Sequence, residues 1–286
     1  MKPMNSINLL AFAASFSVAP IFASSELSIE DALKKGLIQV IINGKGGYTG
    51  NVITMKIKSI CNQNLNINLE AGRRLDSKDN NQQDILVTQA QDFFVSAKQQ
   101  KAINVFGMCC QAHNSSPKEN SIYTIGKMAD SSLIKLATFI DKNKYYTNYT
   151  AQQAVWSISD NNSLASITDG DKETVDRLRN YVSKITGRII PTYDITYRQD
   201  NENDVLGKAS KIEGVFNYSL TSNSHVTIAI YNAEGRLVQI LFENISHNKG
   251  EYKLYYTFRT RNIPEGKYYA RMKLDGVLQK EETIEF

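Results

Sequence analysis

Cys61, Cys109, Cys110 and His113 are the side chains whose types and spacing invite chemistry. Thiolate and imidazole are the ordinary ligands of zinc. Here the spacing matches no common finger, and adjacent thiolates are strained as co-ligands, so no metal site is expected. In an oxidising compartment the alternative is a disulfide. Neighbouring cysteines rarely bond each other, so one bridge is expected from Cys61 to Cys109 or Cys110, with one thiol left over. If the two neighbours lie on a strand they project to opposite faces, and only one can meet Cys61. A hydrolase elbow of the type Gly-x-Ser-x-Gly is missing from the chain. Gly44-Lys45-Gly46-Gly47 lacks phosphate-loop spacing and reads as a hairpin turn. Asp169-Gly170-Asp171 is too short for a calcium loop and reads as a turn into a helix N-cap. His225 and His247 are expected to face solvent at strand edges. With no acid–base or nucleophile constellation and no cofactor motif, the expectation is a protein that is not an enzyme.

What surrounds these residues bounds the class. The N-terminus, MKPMNSINLLAFAASFSVAPIFASS, has Lys2 as a short basic region and an uncharged apolar or small run from Leu9 to Ala23. Ile21-Phe22-Ala23 fits the small-residue rule at a cleavage site, so residues 1–23 read as a secretory signal peptide. The run is shorter than the roughly 20 residues that span a bilayer. The implied address is outside the cytoplasm: extracellular, cell surface or periplasm, where disulfides are permitted. The chain has 33 basic and 29 acidic residues, a net +4, too small and scattered an excess to argue for nucleic acid. Its 286 residues suit two ordinary domains.

The elements that must position the candidates follow from periodicity. Ser28–Leu37 reads as a short helix capped by Ser28. Short β-like runs follow at 37–43, 51–60, 65–71, 83–89, 92–97 and 102–110. Ile53, Met55 and Ile57 alternate with Thr54, Lys56 and Lys58 as in a half-buried strand. Helices are expected from Asp130 or Ser131 to Ile140, over Thr150–Ile158, and from Asp171 to Thr186 with Gly187 as the stop. Trp156, the one tryptophan, is expected in the core. Residues 191–211 are polar and read as a linker. Six or seven strands then fill the last 75 or so residues. The fold class is mainly β with helical additions: an N-terminal β-sandwich over 26–190 with appended helices, then an Ig-like β-sandwich over 212–286.

The tail carries a family resemblance. Val215–Leu241 (VFNYSLTSNSHVTIAIYNAEGRLVQIL) has a strand ending in Ile-Tyr, a turn with Gly235, and a strand beginning Arg-Leu-Val. Pro264 and Gly266 then lead into Tyr268-Tyr269. Over the last quarter of the chain this resembles the Ig-like domain of the flagellar hook-capping protein and the C-terminal sorting domains of the type IX secretion system. The resemblance implies an Ig-like fold and a role in sorting, with outer-membrane secretion machinery as one partner. The chain ends Thr283-Ile284-Glu285-Phe286, where the sorting family usually ends in a basic strand terminus. Tyr252, Tyr255, Tyr256, Tyr268 and Tyr269 are expected to bury one face and present phenols on the other.

The N-terminal part shows a second resemblance. Gly107-Met108-Cys109-Cys110, followed by Thr150-Ala151-Gln152-Gln153-Ala154-Val155-Trp156, is similar to the thioester domains of bacterial surface adhesins. In those domains a strand cysteine bonds a glutamine of a helix. The resemblance implies Cys110 and Gln152 as thioester partners, although Ala151 and Met108 depart from the family's Thr and aromatic residue. The favoured function is a non-enzymatic cell-surface or secreted interaction or structural protein. Its partner is expected to be a protein or a cell-surface glycan. The alternative is a covalent adhesin using Cys110 and Gln152.

Overall fold

In the computed structural model the described residues are 26–168, 170–198 and 206–286. The expected signal peptide at 1–23, Asp169, and the Asp200–Asp204 stretch of the expected linker lie outside them. The chain is mainly β with helical additions. Among the described residues no helix is long and apolar enough to cross a membrane, which says nothing of a β-barrel.

The first half opens with β1 (Leu27–Ser28) and helix α1 (Ile29–Lys34), whose N-cap is Ser28 as read from the sequence. Strands β2 (Ile38–Lys45), β3 (Thr49–Ser59), β4 (Leu65–Leu69), β5 (Arg73–Ser77), β6 (Ile85–Val87), β7 (Gln91–Val95), β8 (Gln100–Cys109) and β9 (Glu119–Met128) follow. Six of them close a barrel in the order β2-β3-β8-β6-β5-β9, and β1, β4 and β7 form a separate three-stranded sheet. The N-terminal strands therefore enclose their core by closure rather than by stacking two open sheets. Closure follows from β9, which pairs with both β2 and β5 and leaves the six-stranded sheet without an edge. The Gly44–Gly47 stretch is a hairpin connection between β2 and β3, with Gly46 and Gly47 at φ +92° and +82°.

Three helices cover the outer wall of β6 and β8. They are α2 (Ser131–Asn143), α3 (Tyr149–Ser159) and α4 (Lys172–Thr186), with a 3-10 turn at Leu164–Ser166. Their caps explain their bounds. The Asp130 carboxylate accepts from Ser132 and Leu133 N–H, and Asp171 accepts from Thr174 N–H. Gly187 ends α4 at φ +74°, the left-handed region where glycine meets no Cβ penalty. Leu133, Leu136, Ala137 and Ile140 of α2 pack with Ala151, Ala154 and Val155 of α3 and Leu178 and Val182 of α4.

The second half is a seven-stranded sandwich. Its strands are β10 (Tyr193–Arg198), β11 (Lys208–Leu220), β12 (Ser224–Asn232), β13 (Leu237–His247), β14 (Gly250–Arg259), β15 (Lys267–Leu274) and β16 (Val277–Glu285). One sheet has the order β10-β11-β14 and the other β13-β12-β15-β16. Lettered A to G, these are A-B-E and D-C-F-G, a two-sheet Greek-key arrangement of the Ig-like class. The linker expectation for 191–211 is corrected here. Tyr193 and Ile195 of β10 are buried and its residues pair with β11, so residues 193–198 are the sandwich's first strand. The helical layer reaches it through an Arg179–Asp194 ion pair of 2.6 Å.

Candidate functional site

Two places gather the residues singled out by the sequence: the seam between α3 and β8, and the outer face of the four-stranded sheet.

At the seam, α3 faces the barrel with Gln152 and Trp156, one turn apart on one side of the helix. Both are fully buried. The Gln152 carboxamide is held on the main chain of Cys109. Its Oε1 accepts from Cys109 N–H at 2.9 Å, and its Nε2 donates to the Cys109 carbonyl at 2.8 Å. One side chain thus adds a donor and an acceptor at the end of β8, where the Cys109 N–H also reaches the Tyr48 carbonyl, and locks a helix to a strand 43 residues away. Trp156 fills the barrel mouth beside Tyr48 and Tyr149, with ring centroids 6.5 and 6.1 Å away. Its Nε1 donates to Gln83 Oε1.

The two vicinal cysteines do project to different sides. Cys109 belongs to the barrel core with Trp156, and Cys110 to the helical layer with Ala151, Ala154 and Val155. Burial pushes the Cys109 thiol well up, and pushes Cys110 up to about 12, with the Asp84 carboxylate adding to the effect. Both therefore remain protonated at neutral pH and are weak nucleophiles. The thioester partners named from the sequence are not brought together as named. The cysteine whose main chain holds Gln152 is Cys109, while Cys110 lies on the other face.

The expected disulfide is also corrected: Cys61, Cys109 and Cys110 are all free thiols. Antiparallel pairing is the reason. Thr49 pairs with Met108 and Lys58 with Gln100, so Cys61 and Cys109 lie beyond opposite ends of the β3–β8 ladder. Nine strand residues at about 3.3 Å each put them on the order of 30 Å apart. A bridge needs Cα atoms within about 7 Å. Cys61 is half-buried at the barrel rim, where a hydrogen bond with the Ser59 hydroxyl lowers its pKa below the ordinary thiol value. Among the described residues no group of three His, Cys, Asp or Glu converges as a metal site.

Sequence reasoning missed Arg73, the one buried guanidinium of the barrel. It is 2% exposed and binds Glu70 through two nitrogens (2.6 and 3.2 Å), the Gly126 carbonyl (3.1 Å) and Glu30 of α1. It fixes the first helix to the barrel. Its signal, a basic residue in a strand flanked by carboxylates 3 and 43 residues away, has no local periodicity.

In the tail the tyrosines divide as expected. Tyr256 and Tyr268 are buried, Tyr255 is 64% exposed, and Tyr252 and Tyr269 are half-buried. Tyr256 lies over Gly214, where an added Cβ would fall 2.4 Å from its ring, so only glycine fits opposite it. His225 is exposed beside Asp275. His247 departs from expectation: it is half-buried, stacked on Tyr252 at 4.3 Å and bonded through Nδ1 to the Tyr218 hydroxyl at 2.7 Å.

Register defines the outer face of the four-stranded sheet. Leu237 of β13, Tyr231 of β12, Tyr269 of β15 and Thr283 of β16 form one row. Ile240, Ala229, Arg271 and Glu281 form the next. The Arg271 guanidinium lies over Tyr231 at 4.7 Å and Tyr269 at 5.5 Å, and its Nε donates to Glu281 at 2.6 Å. Leu237 and Ile240 are 53% and 44% exposed. The result is a patch of tyrosine, arginine and aliphatic side chains on the outer face of the sheet.

No protein-family model matches the chain, and no curated protein matches it.

Proposed function

We propose that this is an exported, non-enzymatic interaction protein of the cell surface or the secreted fraction, and that the tail sandwich presents its binding face. One observation carries the reading: the ordered row Leu237–Tyr231–Tyr269 with Arg271 stacked across it. Tyrosine and arginine are the residue types that concentrate binding energy in protein interfaces. Cation–π stacking fixes the guanidinium in advance, which reduces the ordering cost of association. The patch suits a protein partner with an apolar surface and a carboxylate for Arg271. A sorting role for the same domain is supported by its sequence resemblance alone. The test is binding of labelled, purified protein to the producing cells. Tyr231→Ala/Tyr269→Ala should weaken it at least tenfold with the fold intact by circular dichroism. Undiminished binding by the double variant refutes the reading.

A second reading is favoured by the Gln152–Cys109 geometry: a covalent adhesin. A cysteine thiol would add to Gln152 Cδ, its proton passing to the amide nitrogen; the C–N bond breaks, ammonia leaves and the thioester remains, and an amine of the partner would later attack Cδ and free the thiol. The backbone contact makes the Cys109 thiol a candidate partner beside the Cys110 thiol named from the sequence. The intact mass separates the readings. Loss of one ammonia, reversed by methylamine and absent in Gln152→Ala and in one of Cys109→Ala and Cys110→Ala, supports the covalent reading. An unmodified mass supports the first.

A further inference from the structure

The barrel wall away from the helices carries an exposed face of its own. On β2, Ile38 and Ile42 enter the core while Gln39 and Ile41 point outward. Ile41 is 62% exposed, and Ile122 on the adjacent strand β9 is 55% exposed. Asn43 pairs with Ile122, so Ile41 is the diagonal neighbour of Ile122, about 7–8 Å away. Two lysines of β3 complete the face. Lys56 stands in register between Ile41 and Ala102, and Lys58 between Gln39 and Gln100. Both lysines are exposed, their cross-strand neighbours are uncharged, and among the described residues neither has an ion-pair partner. Carboxylates lie at the margins. Glu119 stands opposite Lys45 at the end of β2, and Asp79 follows exposed Lys78, whose N–H meets the Ile122 carbonyl.

We propose that this face docks the protein on an anionic lipid surface, with Ile41 and Ile122 in the acyl boundary and Lys56 and Lys58 at the headgroup phosphates. Isoleucine on the solvent side of a strand adds nothing to the barrel core, and entering the acyl boundary takes its apolar area out of water. A lysine stem lies along apolar surface while its ammonium reaches the headgroups, so the two residue types fit one depth. Each unpaired ammonium near an anionic leaflet adds an attraction that salt screens. A second copy fits less well. A two-fold contact through the isoleucines would gather the lysines of both copies without a carboxylate between them. A soluble polyanion would meet the lysines but leave both isoleucines in water. The face lies on the barrel, so it does not depend on the binding patch proposed for the tail.

The test is co-sedimentation with vesicles of phosphatidylcholine alone and of phosphatidylcholine mixed with phosphatidylglycerol. The full chain and a form beginning at Ser24 are both measured, and the second decides, because it lacks the apolar run at 9–23. The mixed vesicles should bind at least tenfold more tightly than the neutral ones. Ile41→Ser/Ile122→Ser, which leaves the charge unchanged, should lose at least fivefold. Lys56→Gln/Lys58→Gln should lose at least fivefold and flatten the salt dependence. Tyr231→Ala/Tyr269→Ala, in the tail, should bind as the parent does. Circular dichroism checks that each variant is folded, and Ile122→Ser alone replaces an isoleucine double variant that is not. The proposal is overturned if the mixed vesicles bind no more tightly than the neutral ones, if the isoleucine variant binds as the parent does, or if the tail variant loses as much as the barrel variants. Retained binding by the isoleucine variant, with displacement by heparin, would make the face a polyanion site instead.

Discussion

Replacing Gln152 tests the seam on which the N-terminal half depends. In Gln152→Ala the Cys109 carbonyl loses its donor in a buried site, which costs about 1–3 kcal/mol. The Cys109 N–H keeps a partner, the Tyr48 carbonyl at 3.2 Å, so it adds little. The space vacated by the carboxamide adds about 1 kcal/mol. The expected destabilisation is therefore about 2–4 kcal/mol. Gln152→Glu discriminates further. A carboxylate would set oxygen against the Cys109 carbonyl and cannot donate, whereas the protonated acid can. The introduced carboxyl thus has a folded-state pKa raised above its unfolded value near 4. Its stabilising contact is complete below that unfolded value and is lost as pH rises through the folded value. Urea unfolding followed through Trp156, one turn away and the chain's one tryptophan, reads both variants at pH 5 and pH 7.5. A cost below about 0.5 kcal/mol for Gln152→Ala, or a pH-independent Gln152→Glu, would refute the clamp.

The remaining predictions concern other buried groups of the N-terminal half. Arg73→Ala leaves Glu70 unpaired, Glu30 with Lys34 alone and the Gly126 carbonyl without its donor; with both carboxylates partly exposed, about 2–4 kcal/mol should be lost in urea titration. Trp156→Ala should cost about 3–5 kcal/mol, and the native emission maximum should be blue-shifted as for a buried indole. Asp160, whose Oδ1 accepts from Ala112 N–H, has its pKa raised by burial. Its contribution is therefore most favourable below the unfolded aspartate value and fades as pH rises through the raised folded value. Asp160→Asn should remove that slope from a plot of Tm against pH above about pH 4. An unchanged slope would show that Asp160 is solvated.

Helix bounds were legible because each rests on local chemistry. Asp130 and Asp171 cap, Gly187 stops, and the stripes Leu133–Ile140 and Val175–Val182 repeat at helical spacing. The tail sandwich was legible for a similar reason, since Val226, Ile228 and Ile230 alternate inward and Gly235 turns the chain. Barrel closure was not. It depends on β5, whose Arg74 and Asp76 pair on the solvent side, and on β9, where exposed Ile122 breaks the expected alternation. Without those two strands, six β-runs look like an open sandwich. The tail's first strand was hidden for another reason: β10 is short, with its alternation carried by Tyr193, Ile195 and half-buried Tyr197, between Pro191 and an acidic stretch of sequence.

The cysteines show why residue type and spacing alone misplace a covalent bond. Cys61 and Cys109 are close to the ends of adjacent strands, which suggests proximity, but in an antiparallel pair the end of one strand meets the start of the other. The same register that parts them delivers Cys109 to α3, where a helix-borne carboxamide completes its hydrogen bonds. Gln152 was visible from the motif around Trp156, whereas its partner atoms belong to the backbone, which no side-chain pattern reports. The seam therefore joins the helical layer to the barrel without a disulfide. Its cohesion comes from two buried hydrogen bonds and the Trp156 packing, each of which one substitution removes.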